Sequence, residues 1–288
     1  MTAPSTTRSP LYFALRRFAD NRAAMVSGII LAVIILMAVF APLISKTGYE
    51  DQDFLTRALS FPSREFWFGV DDLGRDFFTR IIYGARVSLT IGFVAAAFSV
   101  VIGIPLGAAA GYYGGRIDLC VMRLIELFSV VPPLLAAMLL GALTKGGFAT
   151  IVLIAALFGW VQVCLLVRAQ VKAFREKEFV RAAAALGASP GYIIRRHLIP
   201  NSISPIIVGF VLAIPLAMML EASLSFLGIG VPPPVPSWGQ MINVGMNFMY
   251  FYWHMAVFPT AALAITVLAI TLFGDGLRDA LDPTLKGR

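Results

Sequence analysis

Residues 168–201 read RAQVKAFREKEFVRAAAALGASPGYIIRRHLIPN and form a basic segment between two long apolar runs. The run before it covers residues 148–167, and the run after it covers residues 203–227. A helix needs about 20 apolar residues to cross the ~30 Å hydrocarbon core of a bilayer. Both runs reach that length, so the segment is predicted to be a loop joining two transmembrane helices.

Four further apolar runs of similar length lie at residues 23–44, 87–111, 119–143 and 251–273. Of the 288 residues, 59% are hydrophobic and 14% are charged, and the mean hydropathy is +0.83. Soluble domains carry roughly 25% charged residues, so this composition excludes a soluble enzyme. The runs are continuous, whereas the strands of a membrane barrel alternate polar and apolar residues. We predict an all-α integral membrane protein with six transmembrane helices.

The positions of Lys and Arg predict the orientation. With a cytoplasmic N-terminus, 16 of the 23 basic residues fall on the cytoplasmic side, as the positive-inside rule expects. Both termini are then cytoplasmic, and the net charge of +7 belongs to membrane loops instead of a nucleic-acid surface. The predicted organisation is a cytoplasmic tail at 1–22, a first helix at 23–44, an extracytoplasmic loop at 45–86, a five-helix core at 87–276 containing the loop at 168–200, and a cytoplasmic tail at 277–288.

The loop itself has helix start and stop signals. Helix-forming residues run from 168 to 186, and Gly187 supplies a stop. Ser189 is a candidate cap for a second short helix that begins at Pro190 and ends at about His197. Small residues at 182–185 leave a shallow surface that another protein can approach closely. The alternative is a basic helix that rests on anionic lipid.

The loop resembles the EAA loop of ABC-importer permeases. That motif is matched here by Arg181-Ala182-Ala183, by Gly187, and by the run from His197 to Pro200. Arg181 stands where the motif is named for a glutamate. The resemblance implies that a short coupling helix in this loop docks into a groove of an ATPase subunit, with Arg181, Ala182, Ala183, Gly187, Ser189, Pro190, His197 and Pro200 as the coupling residues.

Three more stretches resemble the C-type permease subunit of the dipeptide, oligopeptide and nickel importers. They are residues 68–92, 221–242 and 274–283. The resemblance implies a type I ABC-importer permease fold. It also implies as partners a homologous second permease subunit, two ABC ATPase subunits and an extracytoplasmic substrate-binding protein, in the plasma membrane of a prokaryote. Peptide is the expected substrate, with nickel or another small solute as the alternative.

The chain is expected to be non-catalytic. It contains no G-x-x-x-x-G-K-[ST] phosphate loop, so ATP and Mg are expected on partner ATPase subunits. His197 and His254 lack metal-ligand spacing, and no metal or other cofactor is expected. A self-sufficient secondary transporter and an integral membrane enzyme are the competing hypotheses. The sequence shows no carboxylates near the middle of a span, which a secondary transporter would be expected to use for ion coupling. It also shows no cluster of catalytic residues within the spans, which an enzyme would need.

Two extracytoplasmic stretches carry further candidates. Asp71, Asp72, Arg75, Asp76, Arg80 and Arg86 have helical spacing, which predicts a self-paired helix on the membrane surface, with Asp71–Arg75 and Asp76–Arg80 pairs. A docking surface for the binding protein, through Asp72, Arg75 and Asp76, is the alternative.

The second stretch is the proline-rich loop at 232–236, which is predicted to be stiff. Trp238, which follows it, is predicted to be an interfacial anchor. Pro233 and Trp238 are candidates for a gate or a receptor contact.

Within the spans, ionisable residues are costly unless they are paired or face a cavity. Arg123 and Glu126 are predicted to pair on one helix face. Glu221 is predicted to line a cavity, with a helix cap or an interhelical hydrogen-bond acceptor as the alternatives. Glycines at 103, 107 and 111 predict close helix packing.

Overall fold

The structure is a computed structural model that describes residues 10–144 and 146–281, and the regular secondary structure of these ranges is helical. One isolated antiparallel bridge joins Val70 and Asp76. The helices are α1 (Pro10–Asp20), α2 (Arg22–Val39), α3 (Ala41–Ile44), α4 (Phe54–Arg57), α5 (Phe77–Tyr113), α6 (Gly115–Val130), α7 (Pro133–Thr144), α8 (Phe148–Arg175), α9 (Glu178–Ala185), α10 (Pro190–Ile193), α11 (Ile199–Asn201), α12 (Ile203–Phe226), α13 (Trp238–Phe248) and α14 (His254–Leu281), with a π-helical turn at Ile194–Leu198.

Five helices of the described ranges, α2, α5, α8, α12 and α14, are long and apolar enough to cross a membrane. Helices α6 and α7 are long and apolar enough only when they are taken together, which makes six candidate crossings if the pair counts as one span, and they meet at an angle of 79°. The apolar run predicted at 119–143 is therefore divided into two helices at its two prolines. Val131 is extended because a residue before proline avoids helical backbone, and Pro132 and Pro133 lack the N–H that would continue the helix.

Three other helices extend beyond their predicted limits. Helix α5 begins at Phe77 instead of residue 87, which shortens the predicted loop at 45–86. Its 37 residues span about 55 Å, more than the hydrocarbon core requires. Helix α8 continues past residue 167 to Arg175, and α14 runs from His254 to Leu281 instead of 251–273. The final predicted segment, 277–288, is helical to Leu281, and its later residues lie outside the described ranges.

Close contact between α5 and α8 fixes the centre of the bundle. A side-chain carbon on Gly107 would lie 2.5 Å from the carbonyl oxygen of Cys164, and one on Gly111 would lie 2.7 Å from that of Arg168. Only glycine permits this approach, so the expected packing role of these glycines is confirmed. Arg168 also forms a bidentate ion pair with Asp118 of α6, in which its Nε and Nη2 lie 2.5 and 2.7 Å from the two carboxylate oxygens.

Candidate functional site

The loop between α8 and α12 folds as two short helices separated by a tight turn. Helix α9 ends at Ala185, and Gly187 has a φ of +82°. The N–H of Ala188 donates to the carbonyl of Ala183 at 3.1 Å, and that of Gly187 donates to Ala184 at 3.0 Å. This is the Schellman ending that favours glycine, so the predicted stop at Gly187 is present. The predicted helix over 168–186 is interrupted, because α8 ends at Arg175 and α9 restarts at Glu178.

The second half of the loop begins as predicted. The hydroxyl of Ser189 accepts a hydrogen bond from the N–H of Tyr192 at 3.4 Å, and Pro190 is the first residue of α10. The regular helix then ends at Ile193 instead of His197 and widens into the π-helical turn. Pro200 accounts for the widening, because it cannot donate to the carbonyl four residues earlier and its ring crowds that turn.

An apolar cluster fastens this loop to the helix before it. Val180 of α9, Ile193 of α10 and Leu198 of the π-helical turn are all buried. They pack in one cluster with Val167 and Val171 of α8. The loop therefore forms one packed unit with the end of α8, and a force applied to α9 is transmitted to that helix.

The outer face of α9 is exposed. Arg181, Ala182 and Ala185 are open to solvent, and the side chain of Leu186 is 88% exposed. Arg181 donates to Glu176 at 2.8 Å, and this hydrogen bond lowers the pKa of Glu176. Leu186 was missed from sequence, although a leucine directly before a helix-ending glycine in a basic loop is a usable signal.

The remaining coupling candidates divide between the interior and the surface. His197 is half-buried, with its ring 5.8 Å from that of Tyr192 and 6.3 Å from that of Phe179. Pro200 is exposed, and Ala183 is half-buried. His197 therefore packs partly against two exposed rings of the loop. The candidates that a partner can reach lie on α9, in the turn from Gly187 to Pro190 and at Pro200.

At the other end of the bundle, the charged run does not form a surface helix. Asp76 caps α5 by accepting from the N–H of Thr79 at 3.2 Å, so it does not pair with Arg80. The expected Asp71–Arg75 pair is present at 2.7 Å, but both side chains are buried in a turn. The carboxylate of Asp71 is also 3.4 Å from Arg80. A surface helix would leave these charges in water, whereas here they neutralise one another in the interior.

Arg80 connects this turn to two distant segments. Its guanidinium donates to the carbonyls of Tyr49, at 3.1 Å, and Pro234, at 3.4 Å. Asp72 lies at the edge of the cluster, 4.0 Å from Arg75. The pKa of Asp72 is raised chiefly by burial and, to a smaller extent, by the negative charge of Asp71. The two carboxylates and two guanidinium groups form a charge-balanced cluster that holds the outer loops together.

Trp238 was expected at the membrane interface but is 1% exposed. Its indole N–H donates to the carbonyl of Ile81 at 3.0 Å, because a buried indole needs an acceptor. Pro233 is exposed and Arg75 is buried. Of the proposed gate or receptor contacts, Pro233 is thus accessible in this structure, whereas Trp238 and Arg75 face the interior.

Glu221 is fully buried in α12 and does not line the largest cavity. It accepts hydrogen bonds from Ser88 of α5 at 3.0 Å and from Ser225 at 2.7 Å. The cavity assignment is therefore replaced by its alternative, an interhelical acceptor. The expected pair between Arg123 and Glu126 is present at 2.7 Å, with both side chains exposed.

The largest cavity, of about 740 Å³, lies between α5, α8 and α12, beside the start of α7. Most of its wall is aliphatic or aromatic. Its polar side chains are an amide, Gln162, and two hydroxyls, Ser99 and Ser223. In the described parts of the chain, no three His, Cys, Asp or Glu residues are grouped to hold a metal ion.

Comparison with known proteins places the chain in a family. Residues 103–287 match the family described as binding-protein-dependent transport system inner membrane component. Residues 9–62 match the N-terminal transmembrane domain of oligopeptide transport permease C.

Curated relatives match over nearly the whole chain. An oligopeptide transport system permease protein of Bacillus subtilis is 41% identical, over 95% of this chain and 89% of the relative. A glutathione transport system permease protein of Escherichia coli is 39% identical, over 100% of this chain and 95% of the relative.

A solved structure supports the fold. A chain from an inward-facing MetNI methionine ABC transporter has a TM-score of 0.56 at 19% identity, covering 70% of this chain and 96% of the other. Members of the matched family are non-catalytic, multi-pass components of the bacterial inner membrane, and their importers also need an ATPase and a binding protein. The chain therefore belongs to the inner-membrane permeases of binding-protein-dependent ABC importers, within the group that handles peptides.

Proposed function

We propose that this chain forms half of the translocation pathway of an importer for di- or oligopeptides. A homologous permease would supply the other half, and two ATPase subunits would bind the loops at 168–200. Both termini would lie in the cytoplasm, as the distribution of basic residues favours. An extracytoplasmic binding protein would deliver the peptide at the opposite face.

One observation carries the coupling part of the proposal. The loop combines an exposed apolar tip, Leu186, with three buried anchors in a single packed unit. An exposed leucine is suited to insertion into a partner's groove, and the buried anchors prevent the loop from yielding when that partner moves. Closure of the ATPase subunits would displace α9, and α8 would move with it as a rigid lever.

Helix α8 also lines the largest cavity. Gln162 lies on α8, and Ser223 lies on α12 across the cavity. Movement of α8 relative to α12 would therefore change the width of this space. An amide and two hydroxyls in an apolar wall can donate to and accept from peptide groups, which supports a peptide substrate. The names of the oligopeptide and glutathione relatives support the same class.

The coupling proposal is tested by replacing Leu186 with aspartate and purifying the complex in mild detergent. We expect the second permease to remain and the ATPase subunits to be lost or reduced at least about tenfold, because a charge replaces an apolar contact. Leu55→Asp is the matched control, since Leu55 is 92% exposed on α4, in the predicted extracytoplasmic loop and away from residues 168–200. Equal ATPase recovery from Leu186→Asp and wild type would contradict the docking surface. Uptake without ATP or ATPase subunits would instead establish the secondary transporter.

Replacing Gln162 with leucine tests the pathway. We expect peptide uptake to fall by about 3- to 30-fold, because peptide groups passing the cavity lose a hydrogen-bonding partner worth about 1 kcal/mol or more. Membrane abundance should not change, since this side chain is exposed. Gln170→Leu, two turns further along α8 and outside the cavity, is the control. Unchanged transport of peptides by Gln162→Leu in reconstituted vesicles would remove this cavity from the pathway.

A further inference from the structure

A second cavity, of about 540 Å³, opens between α2, α5, α12 and α14. Its wall includes Leu31 and Ile35 of α2, Phe93 of α5, Phe210 of α12 and Phe273 of α14. The cavity follows α2 from Leu31 to Val39, a rise of about 12 Å. That is close to the ~15 Å depth of one leaflet of the hydrocarbon core.

Among the residues that line this crevice, Arg86 is the one with a charge. Its guanidinium lies 5.7 Å from the centre of the Tyr83 ring. That ring lies 4.8 Å from the ring of Tyr49, so Arg86 contacts one ring of a packed pair of tyrosines. Within residues 10–144 and 146–281, no carboxylate lies within ion-pair distance of Arg86.

Arg86 is exposed and has no carboxylate partner among the described residues, so its guanidinium can bind an anion beside the apolar crevice. We propose that the crevice binds an anionic phospholipid, with one acyl chain along α2 and the phosphate at Arg86. Thr90 lies one helical turn from Arg86 and also lines the crevice, so its hydroxyl can donate to the same phosphate. Arginine matches a phosphate with two parallel donors.

The charge balance of the crevice favours an anionic headgroup over a zwitterionic one. A phosphatidylcholine headgroup brings its own cation, which competes with Arg86 for the phosphate. The lining offers that cation no carboxylate. Phosphatidylglycerol carries the phosphate without a cation, and its glycerol hydroxyls can bind water at the surface.

Such a lipid would stabilise the attachment of the first membrane helix. The apolar window of α2 is 17% buried, compared with 56% for that of α8. A lipid chain held against Leu31 and Ile35 would cover apolar surface that the protein leaves open between α2 and α5. The lipid is therefore expected to act as part of the packing between α2 and the remaining helices.

The test is native mass spectrometry of the whole transport complex after delipidation and addition of phosphatidylglycerol or phosphatidylcholine. We expect the wild type to retain phosphatidylglycerol at one site per copy of this chain, and Arg86→Gln to bind it about tenfold more weakly, because a charge-assisted hydrogen bond is lost. Thr90→Trp, which fills the crevice from an exposed position, should exclude the lipid. Arg64→Gln removes the same charge from an exposed loop residue and should leave binding unchanged.

Three outcomes would overturn the proposal. Equal retention of both lipids would remove the role of charge, and equal retention by wild type, Arg86→Gln and Thr90→Trp would place the lipid elsewhere. Loss of the second permease from Arg86→Gln, with lipid retention unaffected, would assign the crevice to a protein interface. Inorganic phosphate is added as a competitor for Arg86. It should not displace the bound lipid at equal concentration, because it lacks the acyl chain that fills the crevice.

Discussion

Replacing Gly187 with valine should lower peptide uptake at least tenfold, while the chain still accumulates in the membrane. The φ of +82° is a conformation that costs a branched residue roughly 1–2 kcal/mol, so the turn between α9 and α10 would rearrange. The three buried anchors should keep the loop attached to α8, which leaves folding largely intact. Uptake and ATP hydrolysis measured in reconstituted vesicles should show hydrolysis lost or no longer linked to transport.

Two glycines separate the possible causes of this effect. Gly115 has a φ of +50° and open space around its missing side chain, but it lies at the start of α6. Gly191 is also in open space, lies within the loop, and lacks a positive φ. Gly115→Val should retain most uptake, and Gly191→Val reports the effect of bulk in the loop without backbone strain. Normal uptake by Gly187→Val, or an equal loss in Gly115→Val, would contradict a specific coupling role for this turn.

The turn from Gly187 to Pro190 could be predicted from sequence because its determinants are local. Gly187, Ser189 and Pro190 each act on backbone within a few residues, through positive φ, a cap and a fixed φ. The same holds for the membrane helices, since a long apolar run needs no knowledge of its neighbours to be recognised. Their ends were less accurate, because Asp76 caps α5 from inside a charged run that also fits a surface helix.

The long-range contacts of Arg80 and Trp238 were not predictable, unlike the local Asp71–Arg75 pair, because their partners are distant in the chain. Arg80 bonds to carbonyls 31 and 154 residues away. Trp238 donates to a carbonyl 157 residues away. Spacing indicates which charges can meet on one helix, but it does not show whether another segment covers them. From sequence alone, Trp238 is therefore predicted to be an interfacial anchor, and only the three-dimensional packing shows that it is buried.

Replacing Asp71 with asparagine should destabilise the protein strongly, and more than the same change at Asp72. Asparagine retains an oxygen for the N–H groups of Leu73 and Arg75, each now at 2.9 Å. It removes the carboxylate charge that lies within ion-pair distance of two arginines whose side chains are 8% and 4% exposed. Breaking a buried pair in this way costs about 3–5 kcal/mol. Thermal unfolding of the purified complex should show a marked fall in Tm, with less chain in the membrane.

Asp72→Asn provides the matched comparison, because it makes the same chemical change at the edge of the cluster. Its side chain is 28% exposed and lies 4.0 Å from Arg75, so we expect a loss of at most about 1 kcal/mol. Adding Arg80→Gln to Asp71→Asn should recover part of the lost stability, since it leaves one buried cation instead of two. If Asp71→Asn and Asp72→Asn unfold at the same temperature, the buried cluster does not hold the outer loops. Pro234 and Tyr49 would then be fixed by their backbone packing alone.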